Sequence, residues 1–434
     1  MDYKIPIKKN NKNKLNNDFL IISYNEEARS YKEYDCKSII NNIKNESPSF
    51  VVVCTQESRS GITNHFQHIL NIELGKINYY RISKTDESKT IVKIFNKNIR
   101  VRFYINQLKV STEYYTPLKN SYFSEDKYSK KIINSKKDNK KTNYYLKSCI
   151  VKRSKKSFGY ETFNVLGRIF KGTLFKGAIC LEIILSNTDG KIIKLLILNT
   201  HLYYKNSIDT GLENRKEIFL KLIKEFELVE KMNDDYNIFY CGDLNFRLHH
   251  YKKKLNNHTI QRNIIKEYIL NNSLYKHESS KKFIDGYKLE DKFIKDELVH
   301  YFNDFNNKDA DIKKLIKLFK ISIEKIGIHL SCKYTKDKFN KHEEMFSKKE
   351  VNNKKIDKQN TFVINKDGVI RIPSACDKIL FALNGEKLNN YKNNFIEDYI
   401  VQGSDIKISP YNFDIYLFPD KSDHKLISLS MEFH

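Results

Sequence analysis

The stretch IFYCGDLNFRL, residues 238–248, places two kinds of phosphate chemistry on the same few residues. Cys241 and Arg247 stand either side of five residues, the spacing of a thiolate phosphatase loop. Gly242-Asp243-Leu244-Asn245, directly after an apolar run, instead offers the carboxylate and amide of a metal-assisted phosphoesterase. Two physical arguments favour the carboxylate. A loop that cradles a phosphate dianion with backbone N–H groups is glycine-rich and free of acids, whereas Asp243 would sit inside this one and repel the dianion. Cys241 also continues the run IFYC, so it is expected to point into packing, where a thiol's pKa rises and its reactivity falls.

Other polar residues stand in the same kind of place. FLIIS (19–23) leads to Asn25, FVVVC (50–54) to Gln56 and Glu57, and KLLIL (194–198) to Asn199 and His201. Asp377 comes just before KILFAL (378–383), and Ser422-Asp423-His424 just before LISLSMEF (426–433). Singly, each has a bland reading: Asp and Asn form turns after strands, a lone His is usually structural, and Glu57 could be a solvated strand end. His249 and His250 are assigned to that bland reading. Together the strand ends hold the composition that metal-assisted hydrolysis of a phosphate ester requires. A hard cation such as Mg²⁺ needs one or two carboxylates and keeps several waters. Glu57 is the first candidate ligand, supported by Asn25. Asp243 can take the proton of the attacking water, with Asn245 positioning the phosphate. Protonated His201 and His424 can donate to its oxygens, and Asp377 can hold an imidazole by its other nitrogen.

These residues need rigid elements behind them. The apolar runs, with KGAICLEIIL (176–185) and YNIFYC (236–241) among them, are of strand length and mostly lack alternation. They read as strands buried on both faces or inside a sandwich. Residues 213–232 carry Phe219, Leu222, Ile223, Phe226 and Val229 at helical spacing, which predicts one helix and an α/β protein. An apolar content of 40%, with 28 Tyr and 27 Phe in 434 residues, is enough for a sizeable core. No run reaches the roughly eighteen apolar residues of a membrane span, and the basic N-terminus lacks the apolar segment of a secretory signal. The net charge of +25 suits polyanionic partners, although a lysine- and asparagine-rich composition also explains part of it. Seven cysteines without a Cys-x-x-Cys pair argue against a disulfide framework or zinc site and for a reducing, cytoplasmic compartment. Cys54 and Cys180, inside apolar runs, read as small buried hydrophobes. The organisation expected is a basic tail (1–17) and one domain (18–434) decorated by lysine-rich loops near 119–158 and 336–366. Those loops could also form a basic patch that contacts an anionic membrane.

The ordered motifs resemble the inositol polyphosphate 5-phosphatases, within the endonuclease/exonuclease/phosphatase superfamily. Gly242-Asp243-Leu244-Asn245-Phe246-Arg247-Leu248 is similar to that family's G-D-L-N-Y-R-I/L element. Arg371-Ile372-Pro373-Ser374-Ala375-Cys376-Asp377-Lys378-Ile379-Leu380 is similar to its R-x-P-A/S-W-C-D-R-I/V-L element. Gln56-Glu57, Asn199-Thr200-His201-Leu202, Ser422-Asp423-His424-Lys425, Phe175-Lys176-Gly177-Ala178 and Ser331-Cys332-Lys333-Tyr334 follow further motifs of the family.

The resemblance implies a four-layered α/β sandwich of the DNase I-like kind, two central mixed sheets flanked by helices. It implies Mg²⁺-dependent removal of the 5-phosphate from inositol phospholipids, such as phosphatidylinositol 4,5-bisphosphate, or from soluble inositol polyphosphates. Metal binding then falls on Glu57 and Asn25, and water activation on Asp243. Asn245, His201 and His424 contact the scissile phosphate, with Asp377 behind His424. Lys333 meets the neighbouring 4-phosphate, and Arg371, Lys378, Lys176 and Arg247 complete the substrate-binding set. The chain departs from the pattern at Ala375 (Trp in the family), Lys378 (Arg), Cys332 (Tyr) and Lys425 (Arg). None of these removes an implied ligand, base or imidazole, so a monomeric, active enzyme is expected, cytoplasmic or peripheral at an anionic membrane surface, without nucleic acid as partner. Two alternatives stand beside it: a superfamily nuclease, abasic-site or DNase-like, because the charge also suits DNA or RNA, and a lipid-binding protein with a degraded site.

Overall fold

The computed structural model describes residues 18–26, 31–59, 66–82, 86–87, 97–111, 143–154, 161–165, 168–172, 177–202, 208–250, 294–326, 376–385, 401–402, 406–408, 414–416, 424 and 426–433. The expected apolar runs all become strands. The long ones are β1 (Phe19–Asn25), β2 (Phe50–Arg59), β3 (Lys97–Asn106), β4 (Tyr144–Arg153), β5 (Gly177–Asn187), β6 (Ile192–His201), β7 (Tyr236–Asp243), β8 (Asp377–Ala382) and β9 (Leu426–Phe433). The helices are α1 (Glu33–Glu46), α2 (Phe66–Lys76), α3 (Ile208–Glu225), α4 (Leu228–Asn233), α5 (Glu297–Asn303) and α6 (Ala310–Ile326).

One sheet runs β9-β1-β2-β3, extended at its edges by short strands that include Ile406–Ile408 and Tyr79–Arg81. The other runs β8-β7-β6-β5-β4, with Val110–Ser111 at its edge. Both are mixed: β1 and β2 are parallel, as are β6 and β7, and their other long neighbours are antiparallel. Because successive residues face opposite sides of a strand, Phe19, Ile21, Val52, Cys54 and Phe103 meet Leu181, Ile183, Leu195, Ile197, Phe239 and Cys241 between the sheets. On the outer face of the first sheet, Leu20 and Ile22 pack with Ile39 and Ile43 of α1 and Leu70 and Leu74 of α2. On the outer face of the second, Leu196, Leu198 and Tyr240 pack with Phe219 and Ile223 of α3 and Leu315 and Phe319 of α6. The result is the four-layered α/β sandwich, helices–sheet–sheet–helices. Burial of both faces explains why these runs carry no alternation.

Two expectations need correction. The helix over 213–232 is broken between α3 and α4, where Glu227 adopts φ 53. Phe226 and Leu228, about 200° apart on a straight helix, are both buried against the sheet, which an unbroken helix could not achieve. Within the expected loop at 119–158, residues 144–153 form β4, paired with β5. Tyr144 and Leu146 enter the core while Tyr145 and Lys147 alternate outward, a period of two that the surrounding lysines obscured. The tail 1–17, the rest of the 119–158 stretch except residues 143 and 154, and 336–366 lie outside the described residues.

The mixed topology concentrates strand ends. β1 and its pairing with β2 end with Asn25 opposite Gln56, and β6 and β7 end together, with His201 opposite Asp243. Their antiparallel neighbours begin where these end. Asp377 opens β8 opposite Asp243, Gly177 opens β5 opposite His201, and β9 starts next to Ile427, the partner of Ser23.

Candidate active site

The two sheets are tied to each other at that end. Gln56 Nε2 donates to Asn199 Oδ1 at 2.7 Å, and Asn199 Nδ2 donates to the carbonyls of Thr55 (3.1 Å) and Arg100 (2.9 Å). Both amides are fully buried, where a hydrogen-bonded polar group is stable and an unmatched one is costly. The bridge sets the first sheet against the second at the level where Glu57 and His201 follow.

Asp243 is the centre of the cluster. Its Oδ2 accepts from Asn25 Nδ2 at 3.0 Å and lies 3.3 Å from His201 Nε2; its Oδ1 accepts from the Asn245 amide N–H at 3.1 Å. His201 Nε2 is also 3.8 Å from Glu57 Oε1. Opposite Asp243, Asp377 Oδ2 is 2.8 Å from His424 Nδ1, so the carboxylate sets the orientation of that ring. Asp243, Asp377 and His424 each offer a ligating atom, all within 4.8 Å of one another. Two carboxylates buried in register repel unless cations or protons stand beside them. His201 Nε2 stands 3.3 Å from the first carboxylate and His424 Nδ1 2.8 Å from the second. With Asn25 buried against Asp243 and Glu57 at the partly exposed edge, the donor set is oxygen-rich and suits a hard divalent cation rather than a thiolate-seeking one. Thus Asn25, Glu57, His201, Asp243, Asn245, Asp377 and His424, drawn from both sheets, come together.

Local backbone accounts for the motif letters. Gly242 has φ +124, and a Cβ there would lie 2.0 Å from the Thr200 carbonyl oxygen, so only glycine lets β6 and β7 approach beneath the site. Asn245 adopts φ 54, which asparagine tolerates better than most residues. Its side chain is held on both sides: Nδ2 donates to the Leu202 carbonyl at 2.8 Å, and Oδ1 accepts from Arg247 at 3.1 Å.

Two residues expected to line the substrate site are engaged by other side chains of the protein. Lys378 is 7% exposed and places Nζ 3.0 Å from Asp296 Oδ2, so it serves a buried ion pair. Asp296 also caps α5 through the Leu298 and Val299 N–H groups. Arg247 reaches Asn245 and so supports the site residue from behind. Its backbone N–H donates to Glu297 Oε2 at 2.8 Å, and that oxygen also takes a 2.7 Å bond from the buried Arg215 guanidinium. Burial raises the Glu297 carboxyl above its ordinary value, against the opposing pull of Arg215. Sequence reasoning missed Arg215, Asp296 and Glu297. An Asp before an apolar helix start was a legible cap signal, but nothing local links residues 82 positions apart. Lys333, Arg371 and Lys176 lie outside the described residues.

The sulfur reading of the opening motif meets its geometry here. Cys241 is fully buried in the core between the sheets, with Sγ donating to the Leu198 carbonyl at 3.5 Å. Facing it, Cys54 has its thiol pushed well above the ordinary value by burial first and by Cys241 second. The carboxylate, one residue past Gly242, is the group at the cluster.

No protein-family profile and no curated protein matches the chain. Among solved structures it is similar to the inositol polyphosphate 5-phosphatase domain of SPsynaptojanin, solved with inositol (1,4)-bisphosphate and calcium ion. That likeness has 11% identity and a TM-score of 0.41, over 96% of this chain and 84% of that one. It is also similar to truncated Caenorhabditis elegans TDP2, at 12% identity and TM-score 0.37, over 95% and 96% of the two chains. A third is ANGEL2, a 2′,3′-cyclic phosphatase, at 11% and TM-score 0.30, over 95% and 94%. At such low likeness, the architecture stands on the strand pairing and layer packing already described.

Proposed function

We propose that the chain is a divalent-metal-dependent phosphoesterase that removes the 5-phosphate from inositol phospholipids or soluble inositol polyphosphates. The observation that carries the phosphoesterase reading is Asp243, held by Asn25 and the Asn245 N–H, beside His201 and opposite the Asp377–His424 pair. Asp243 takes a proton from the attacking water, and its two hydrogen bonds, one on each oxygen, fix the carboxylate's orientation. The water oxygen bonds to phosphorus while the phosphorus–ester oxygen bond breaks and the alcohol leaves with a proton from solvent. Protonated His201 and His424 donate to the phosphate oxygens as charge builds there, and Asp377 stabilises the His424 imidazolium. A divalent cation, Mg²⁺ by its preference for oxygen, would be held by Glu57 with Asn25 and would supply Lewis-acid charge at the phosphate.

The narrower substrate rests on the order of the motifs from Gln56-Glu57 to His424 and their resemblance to the 5-phosphatases. A net charge of +25 favours a polyanionic substrate and peripheral association with an anionic membrane surface. Among the described residues, no helix is long and apolar enough to cross a membrane.

The test is inorganic phosphate release from phosphatidylinositol 4,5-bisphosphate and from soluble inositol polyphosphate, with Mg²⁺ and with EDTA. Wild type, Asp243→Ala and Cys241→Ser are compared. Release that needs Mg²⁺, is abolished by Asp243→Ala and survives Cys241→Ser supports the proposal. Release in EDTA that only Cys241→Ser abolishes would restore the sulfur chemistry. Cleavage of abasic or plain duplex DNA, with no phosphate released from either inositol substrate, would move the reading to a nuclease.

A further inference from the structure

β2 carries one residue too many where it passes the site. Thr55 pairs with Arg100 but Ser58 pairs with Asn98, so Gln56 and Glu57 occupy the span of a single partner residue. This is a β-bulge, which bends a strand and re-aims a side chain. Glu57 takes φ 51, a backbone unfavourable for a residue of its size. Its side chain is 17% exposed, whereas Thr55, Gln56 and Ser58 are fully buried. The bulge therefore turns one acid out of an otherwise buried run and toward His201.

A backbone in this region persists when its surroundings over-determine it. Ser58 Oγ donates to Glu26 Oε1 at 2.7 Å. Thr55 Oγ1 and Ser58 Oγ share a 2.6 Å hydrogen bond. Glu26 in turn donates its backbone N–H to the Gln56 carbonyl at 2.9 Å and accepts from the Phe66 N–H, at the start of α2, at 3.3 Å. Glu26 is 0% exposed. A carboxylate taken that far from water is costly unless hydrogen-bonded, and here one oxygen is held by Ser58, next to Glu57, and the other by the first N–H of α2.

We propose that Thr55, Ser58 and Glu26 form a hydroxyl–carboxylate brace that locks the bulge and so positions Glu57 as a metal ligand. Ser58 and Glu26 are positioning residues, acting through Glu57. The proposal rests on the ligand role given to Glu57 above, and its test separates the two.

Binding of Mg²⁺ alone to the full chain is measured by isothermal titration calorimetry for wild type, Glu57→Ala, Ser58→Ala and Ser58→Thr, with urea midpoints recorded alongside. Ser58→Ala is expected to weaken Mg²⁺ binding about tenfold, the scale of a lost outer-shell hydrogen bond at a metal ligand. Ser58→Thr, which keeps the hydroxyl, is expected to stay near the wild-type affinity. At saturating Mg²⁺ the kcat of Ser58→Ala should return close to wild type, because Asp243 is untouched. If Ser58→Ala binds Mg²⁺ as wild type does while Glu57→Ala binds it weakly, the brace is overturned and the ligand stands. A lowered urea midpoint with unchanged Mg²⁺ affinity has the same meaning. If Glu57→Ala itself binds as wild type does, ligand and brace fail together. Should Ser58→Ala not fold, Thr55→Val removes only the outer hydroxyl; it is expected to weaken Mg²⁺ binding, and an unchanged affinity overturns the brace.

Discussion

Replacing Gly242 with alanine adds one methyl group directly beneath the candidate base. With φ +124, the position has a backbone that L side chains rarely adopt, and the new Cβ would lie 2.0 Å from the Thr200 carbonyl oxygen. Ordinary contact begins near 3.4 Å, so β6 and β7 must separate by about 1.4 Å or the peptide at 242 must rotate. Left-handed strain costs about 1–2 kcal/mol and overpacking about 1–3 kcal/mol. Together these are a sizeable share of the roughly 5–15 kcal/mol that holds a domain folded. The displacement acts one residue before His201 and Asp243, whose 3.3 Å approach depends on the same strand pair. Misplacement by about 1 Å at reacting groups costs on the order of a hundredfold in rate. Gly242→Ala is therefore expected to lower the urea midpoint, read by circular dichroism, and to cut Mg²⁺-dependent phosphate release about a hundredfold. A variant with the wild-type midpoint and near wild-type release would refute the claim that close approach of β6 and β7 positions the site.

Two further outcomes follow from the geometry. Asp377→Asn, which offers His424 Nδ1 an amide in place of the carboxylate 2.8 Å away, is expected to lower kcat about a hundredfold or more with little change in KM; a kcat near wild type would mean the pair is only structural. Glu26 supplies a pH signature. Burial raises its carboxyl above the ordinary 4.5, opposed by the Ser58 hydroxyl. A raised folded pKa gives stability that is full below the unfolded pKa and is lost as pH rises through the folded one. Glu26→Gln should therefore gain in urea midpoint relative to wild type as pH rises above 4.5, and a difference that does not change with pH would count against a raised carboxyl.

Much of the architecture was legible locally. Runs such as FLIIS and YNIFYC are strands because their length and branched or aromatic side chains suit a sheet buried on both faces. The polar residues that follow them could be singled out because strand ends hold side chains rigidly while freeing them from the ladder. Where local signals were weak or mixed, the reading went astray. Lysines around 144–153 hid a half-exposed strand, and the helical spacing of 213–232 gave no sign that Phe226 and Leu228 would both demand burial.

The sequence by itself determined which residues could do chemistry, the carboxylates, amides and imidazoles of the strand ends, because residue type and the length of an apolar run are local properties. It left their partners open. Asn25 and Asp243 meet across 218 positions, Gln56 and Asn199 across 143, and Lys378 joins Asp296 across 82. Those pairings follow from strand order, from the direction of β1, β2, β6 and β7, and from the separation of two packed sheets. No periodicity in the chain carries these quantities, which exist only once the sandwich has closed.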